Sequence, residues 1–140
     1  MTTNTIRPIA IAIIRRGEEI LVFKGHDKTR NHEYYRPLGG GLDFGEFAED
    51  ALKREFKEEL NEALTNIEPV TILENIFFFE GEMKHELVFV FNASFADQAA
   101  YQRTDLHIID DDSITVSWVP VADFKSHKHT LYPRGILGVL

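Results

Sequence analysis

The sequence predicts a mixed α/β domain in which helices pack on a β-sheet. Three observations lead there. Several stretches are rich in β-branched residues or alternate with period two, one stretch carries a helical period, and 140 residues suit a single hydrophobic core. Residues 1–140 are therefore read as one domain. An apolar share of 44% and a charged share of 27% are those of a globular chain.

Residues 6–14 and 19–23 read as two β-branched strands joined by a turn at Arg15-Arg16-Gly17-Glu18. Residues 25–33 are polar and aperiodic, which predicts a loop. Residues 34–38 are a short extended piece, because Pro37 steers Arg36 away from helix. A glycine-rich turn over 39–45 precedes a helix over about 46–60. Residues 67–79 are apolar and aromatic, one long or bent strand. Residues 87–95 alternate, with Leu87, Phe89, Phe91, Ala93 and Phe95 facing one way and Val88, Val90, Asn92 and Ser94 the other. Residues 97–113 are polar and acidic and read as a loop. Ile114, Val116 and Trp118 alternate in a last strand that stops at Pro120. The tail from Pro133 has a proline suited to a first helical turn, although Gly135 and Gly138 weaken it.

Composition excludes several function classes. With no cysteine there is no disulfide, thiolate nucleophile or cysteine-ligated metal, which fits a reducing compartment. The polar N-terminus (Met1-Thr2-Thr3-Asn4-Thr5) and the short apolar run 9–14, followed by Arg15-Arg16, do not make a signal segment. No stretch approaches a membrane span. The cytoplasm is the expected location. A net charge of −8 disfavours nucleic-acid polymers, whose binding requires a basic surface. It leaves a small anion open, since a bound divalent metal reverses the local field.

The helix carries the chemistry. With Ala48 at zero and about 100° per residue, Ala51, Leu52 and Phe56 mark a buried stripe. Glu55 falls at about −20° and Glu59 at about +20°, in the middle of that stripe, with Glu58 at its edge near −80°. Lys53, Lys57 and Asp50 take the far side. Like charges at this spacing repel, and buried ones resist ionisation. A solvated acidic face would not coincide with the apolar stripe. Hard divalent cations resolve the conflict, because they seek oxygen ligands and offset the charge. Arg54 stands four residues before Glu58, where the two can pair.

The glycine turn lets the backbone approach a ligand beside a helix N-terminus that favours anions. Two nucleotide motifs fail on spacing. Gly40 to Gly45 is followed by Glu46-Phe47 rather than the Lys-Ser/Thr of a P-loop. Gly39-x-Gly41 is followed by Leu42-Asp43-Phe44 before Gly45, which breaks the dinucleotide fingerprint.

Turn and helix together resemble the Nudix box, G-x5-E-x7-R-E-U-x-E-E-x-G-U with U apolar, running from Gly40 to Glu62. Gly40, Glu46, Arg54, Glu55, Phe56, Glu58 and Glu59 stand at the required spacing. Asn61 replaces the final glycine, and asparagine is the next residue of choice for a left-handed helix cap. Glu62 replaces an apolar residue, which the sequence does not explain. The resemblance implies a Nudix α/β/α sandwich with a mixed sheet. It implies a Mg²⁺- or Mn²⁺-dependent pyrophosphohydrolase of a nucleoside diphosphate derivative or nucleoside triphosphate. Glu55 and Glu59 would be the main metal ligands and Glu58 a further one. The Gly39 backbone would contribute an oxygen, Gly40, Glu46 and Arg54 would support the box, with Glu46 and Arg54 bracing the loop and helix, and Glu55 or Glu58 would serve the water proton.

Outside the box, Glu86 at the start of the alternating strand is a candidate for an extra ligand or base, with Glu74 and Glu82 competing. The plainer reading of Glu86 is a strand-edge carboxylate in solvent. Tyr34, Tyr35 and Arg36 precede the box, and Tyr35 and Arg36 are the candidates for substrate binding; an aromatic there would stack on a base or ribose, or belong to the core. His127-x-His129, beside Lys125 and Lys128, reads as solvated surface. Asp110-Asp111-Asp112 lacks the glycine and terminal glutamate of an EF-hand and reads as loop. The expected partner is a small nucleotide-like molecule, and a homodimer is open to a domain of this size. The competing function is a silent nucleotide-binding or regulatory Nudix module. Such modules typically lose box glutamates, and this chain keeps all three.

Overall fold

The computed structural model describes residues 4–104, 106–109 and 111–140, and of Asp112 the backbone only. The polar start Met1-Thr2-Thr3, Asp110 and the side chain of Asp112 lie outside the described residues. Eight strands form one mixed sheet. They are β1 (Ile6–Arg16), β2 (Glu19–Asp27), β3 (His32–Pro37), β4 (Gly39–Gly41), β5 (Leu64–Phe79), β6 (Glu82–Phe95), β7 (His107–Ile108) and β8 (Asp111–Pro120). Helix α1 (Ala48–Leu60) follows β4, and a five-residue helix α2 (Val121–Lys125) follows β8. The strand order is β5-β6-β1-β2-β8-β7, with β3 on the flank of β2 and β4 on that of β1. Among the described residues no helix is long and apolar enough to cross a membrane.

β1 is the pivot. It pairs with β2 only at its end, Arg15 with Ile20 and Arg16 with Glu19, and then parts from it. Its earlier half holds β4 on one side, Ile9 opposite Gly41 and Ile11 opposite Gly39, and parallel β6 on the other. Both faces of β1 are covered, which is why it reads as a continuous apolar run rather than an alternation. Ala10, Ala12 and Ile14 join one core cluster with Leu52, Phe56 and Leu60 of α1. Ile9, Ile11 and Ile13 join the other with Phe124 of α2 and Ile136. The result is a sheet with a helical layer on each face, the Nudix-type α/β/α sandwich expected. The alternation in β6 follows the same division: Phe89, Phe91, Ala93 and Phe95 serve the α1 side, Val88 and Val90 the other.

Several expectations need correction. The loop expected over 25–33 is mostly a hairpin: β2 runs to Asp27 and β3 begins at His32, with Lys24 opposite Tyr35 and His26 opposite Glu33. Exposed polar side chains on this ladder hide its period. The glycine turn over 39–45 is strand β4 for its first three residues, because only glycines permit the approach to β1 made there. At Gly39 a Cβ would collide with the Ala10 carbonyl oxygen. The loop over 97–113 contains a 3-10 turn at Gln98–Gln102, β7, and the start of β8. Finally, α1 begins at Ala48, so Glu46 belongs to the turn before it. Strand 67–79 begins earlier, at Leu64, and is bent by irregular pairing between Thr65 and Thr71. The tail forms a 3-10 helix at Arg134–Val139.

Candidate active site

The turn between β4 and α1 is fastened by one side chain. Arg54 Nε and Nη2 donate to Glu46 Oε2 and Oε1, each at 2.9 Å, a two-pronged bond across the loop. Nη2 also donates to the Gly41 carbonyl at 3.0 Å, and Nη1 to Glu55 Oε1 at 3.0 Å and Glu58 Oε2 at 3.4 Å. Glu46 in turn accepts from the Asp43 amide at 3.0 Å. The Arg54 guanidinium, followed by the Asp43 amide, holds the Glu46 carboxyl down at about 2. The same contacts raise the pKa of Arg54. Both groups stay ionised across the whole neutral range.

On α1 the burial follows the helical wheel. Ala51, Leu52, Phe56 and Leu60 are buried, Glu55 and Glu59 half-buried among them, and Glu58 exposed. The Glu55 side chain is only 17% exposed, against 56% for Glu58. Glu55 lies so close to Gly40 that a Cβ there would overlap its carboxylate. Glu59 is pushed up to about 8, first by burial and then by the Glu55 charge, a hydrogen bond to Glu55 and the Glu58 charge. At neutral pH the cluster therefore keeps a proton among three carboxyl groups.

Hard oxygen donors and a carboxyl group kept protonated by burial and by its carboxylate neighbours are what a divalent cation such as Mg²⁺ or Mn²⁺ would satisfy. Among the described residues no three carboxylate or imidazole groups already converge on a metal-holding arrangement, and Arg54 engages one oxygen of Glu55. The donor chemistry fits a cation, with the side chains adjusting around it.

Beyond the box, Glu86 is not the solvent-facing strand edge that the plainer reading supposed. It lies well inside β6, is 6% exposed, and accepts from Arg36 Nη2 at 3.0 Å and from Asn75 Nδ2 at 3.3 Å. It stands opposite Arg7, two residues along β1 from the Ile9–Gly41 pair. Arg36 and Glu86 line a cavity of about 1190 Å³, as do Glu74 and Glu82. Tyr34 lines it too, with its ring against Phe79 and Tyr132. Tyr35 does not. Its ring packs on Phe124 and His129 in the opposite core, so the expected stacking role cannot belong to it. Period two along β3 puts Tyr34 and Arg36 on one face and Tyr35 on the other, a signal the sequence already held. His129 is part of that packing rather than free surface.

The NUDIX domain family profile matches residues 5–137. The chain belongs to this family. It is a pyrophosphohydrolase of the Nudix type, a class that acts on nucleotide derivatives. Solved Nudix structures share its fold at low identity. A NUDIX hydrolase from Nitrosomonas europaea superposes with a TM-score of 0.67 at 15% identity, over 96% of this chain and 85% of that one. A MutT NUDIX hydrolase from Burkholderia pseudomallei gives 0.63 at 22%, over 85% and 86%. A MutT protein from Bacillus halodurans gives 0.62 at 18%, over 96% and 79%.

Proposed function

We propose that this Nudix chain is a divalent-metal-dependent hydrolase that cuts the diphosphate linkage of a nucleoside diphosphate derivative or a nucleoside triphosphate. One observation carries the reading: Glu55 and Glu59 lie half-buried on the core-facing stripe of α1, with Glu58 beside them, and the Glu55 carboxylate lies against Gly40 of the glycine strand β4. Glu55 and Glu59 would hold the cation, Glu58 would be a further ligand, and the Gly39 backbone would add an oxygen. Mg²⁺ or Mn²⁺ bound there would offset the charge of the diphosphate and bring the pKa of water toward neutrality.

The chain's own groups do the rest. Arg54 holds Oε1 of Glu55 and ties the helix to Gly41, fixing the carboxylate relative to β4. The Glu55 oxygen not held by Arg54 is the assigned acceptor of the water proton, with Glu58 as the alternative acceptor. The cavity beyond Glu86 and Arg36 would receive the nucleoside part, Tyr34 offering it a ring face. Glu86, already paired with Arg36, is better suited to orienting that arginine than to binding metal.

A panel of nucleoside triphosphates, nucleotide sugars, ADP-ribose and dinucleoside polyphosphates, incubated with Mg²⁺ or Mn²⁺ and read by product mass, tests this. Release of a nucleotide by water addition at phosphorus from at least one compound is expected. Absence of cleavage across the panel with either metal would overturn the reading.

A further inference from the structure

The cavity is positively biased in a chain whose net charge is −8. Five cations and three carboxylates line it. Three of the cations are already neutralised: Arg30 by Asp27 at 3.1 Å, Arg36 by Glu86 at 3.0 Å and Lys84 by Glu82 at 3.1 Å. Arg7 and Arg134 have no carboxylate partner among the described residues, and Arg134 rests its guanidinium over the Tyr132 ring, 5.8 Å from the centroid.

Arg7 differs from the others in where it lies. It is exposed on β1, lines the cavity, and reaches the glycine strand: a Cβ on Gly41 would stand 3.2 Å from its Nη2 and 3.3 Å from its Nε. The other side of Gly41 is fixed, because its carbonyl accepts from Arg54 and the next amide, of Leu42, donates to Pro8 O at 3.1 Å. Arg7 thus stands where the cavity meets the strand that carries the carboxylate helix. The carboxylate opposite it across β1 and β6, that of Glu86, is spent on Arg36 and Asn75. A guanidinium without a carboxylate partner, set between this cavity and an acidic centre, presents a planar fork of donors suited to a phosphoryl oxygen pair.

We propose that Arg7 is the substrate-binding cation that receives a phosphoryl group of the diphosphate as it passes from the cavity to the box. This assignment rests on the hydrolase reading and adds to it a residue outside the box. It predicts that affinity resides partly in the diphosphate itself, independent of the base and of the metal.

The test is calorimetric titration with inorganic pyrophosphate in excess chelator, a measurement that needs no turnover. The parent should bind. Arg7→Gln should weaken binding at least about tenfold, the scale of one lost charge-assisted contact, and Arg7→Lys should recover most of it. Lys128→Gln makes the same change in net charge on an exposed side chain away from the cavity and should leave binding as it is. Because Arg7 is exposed, R7Q should melt with the parent, which separates lost binding from lost fold. Pyrophosphate binding by R7Q equal to the parent's, an equal loss in K128Q, or no binding by the parent would each overturn the assignment of Arg7. Failure of the hydrolase reading shows elsewhere, as absence of cleavage across the compound panel.

Discussion

A carboxyl group that is desolvated and set beside two others holds its proton to higher pH than one in water. Glu59 is in that position, at about 8 rather than the usual 4.5. The fold therefore carries no penalty from Glu59 below pH 4.5, acquires one as pH rises to about 8, and carries it undiminished above. Glu59→Gln removes the ionisable group and keeps its size. In chelator the variant should melt at or above the parent, with a gap that widens from pH 4.5 to 8. After solvent screening the gap should be on the order of 1–2 kcal/mol. It should also lose most activity and most of the stabilisation that Mg²⁺ gives by mass action. Thermal melts across pH, with chelator and with Mg²⁺, read all of this; a variant less stable than the parent in chelator would make Glu59 a structural acceptor. Gly40 tests the other side of the same cluster. Gly40→Ala puts a methyl where the Glu55 carboxylate lies. It should cost about 1–3 kcal/mol by overpacking. It should lower kcat by about 100-fold through misplacement of Glu55. An unchanged kcat would mean that Glu55 can leave Gly40 without consequence for the chemistry.

At the scale of elements, the helix end and the hairpin tips show what local pattern can and cannot convey. Asn61 was legible as a cap from its residue type alone, and it adopts φ 55°, ψ 40°, with its amide donating to Lys57 O and that of Glu62 to Phe56 O. Asn61→Gly should be neutral or stabilising by up to about 1 kcal/mol in thermal melts. Glu62 was not legible, because its reason is tertiary: the position is buried, and the carboxylate lies 3.1 Å from the half-exposed Arg103. The hairpin β2–β3 is hidden from the sequence for a related reason. Its polar residues pair across the ladder, and its tip is fastened by buried Asp27, which accepts from the Thr29 and Arg30 amides, the Arg30 guanidinium and, 53 residues away, the Glu80 amide. Burial alone would raise the Asp27 pKa, but the Glu80 and Arg30 donors outweigh it and hold the group below its usual 3.8. Its stabilisation is thus present above that value and lost as pH falls through the lower folded one. Asp27→Asn should lower the melting temperature at neutral pH, and the deficit should shrink in acid. A deficit constant with pH would show that charge at Asp27 does not hold the two hairpin tips together.

Across the whole molecule, periodicity conveyed what is repeated and burial-driven, and was silent on what depends on a single distant partner. The two-sided apolar β1, the alternating β6 and the carboxylates on the stripe of α1 each follow from a count along the chain. The cavity does not, since its walls come from β1, β3, β5, β6 and the C-terminal tail. Nothing local says that Arg36 meets Glu86, fifty positions on. The same division explains the charge. A net −8 describes the surface at large, while the carboxylate cluster and the positively biased cavity lie side by side, linked by β1 and β4. On the proposed reading a diphosphate would use both, the cations to receive it and the acidic centre, once loaded with metal, to cut it. The requirement for the metal is the claim on which the rest depends. Its most direct test is the turnover of a cleavable diphosphate compound by protein stripped with chelator, followed as Mg²⁺ is titrated back. Activity should vanish on stripping and return saturably with Mg²⁺; undiminished hydrolysis in excess chelator would contradict it.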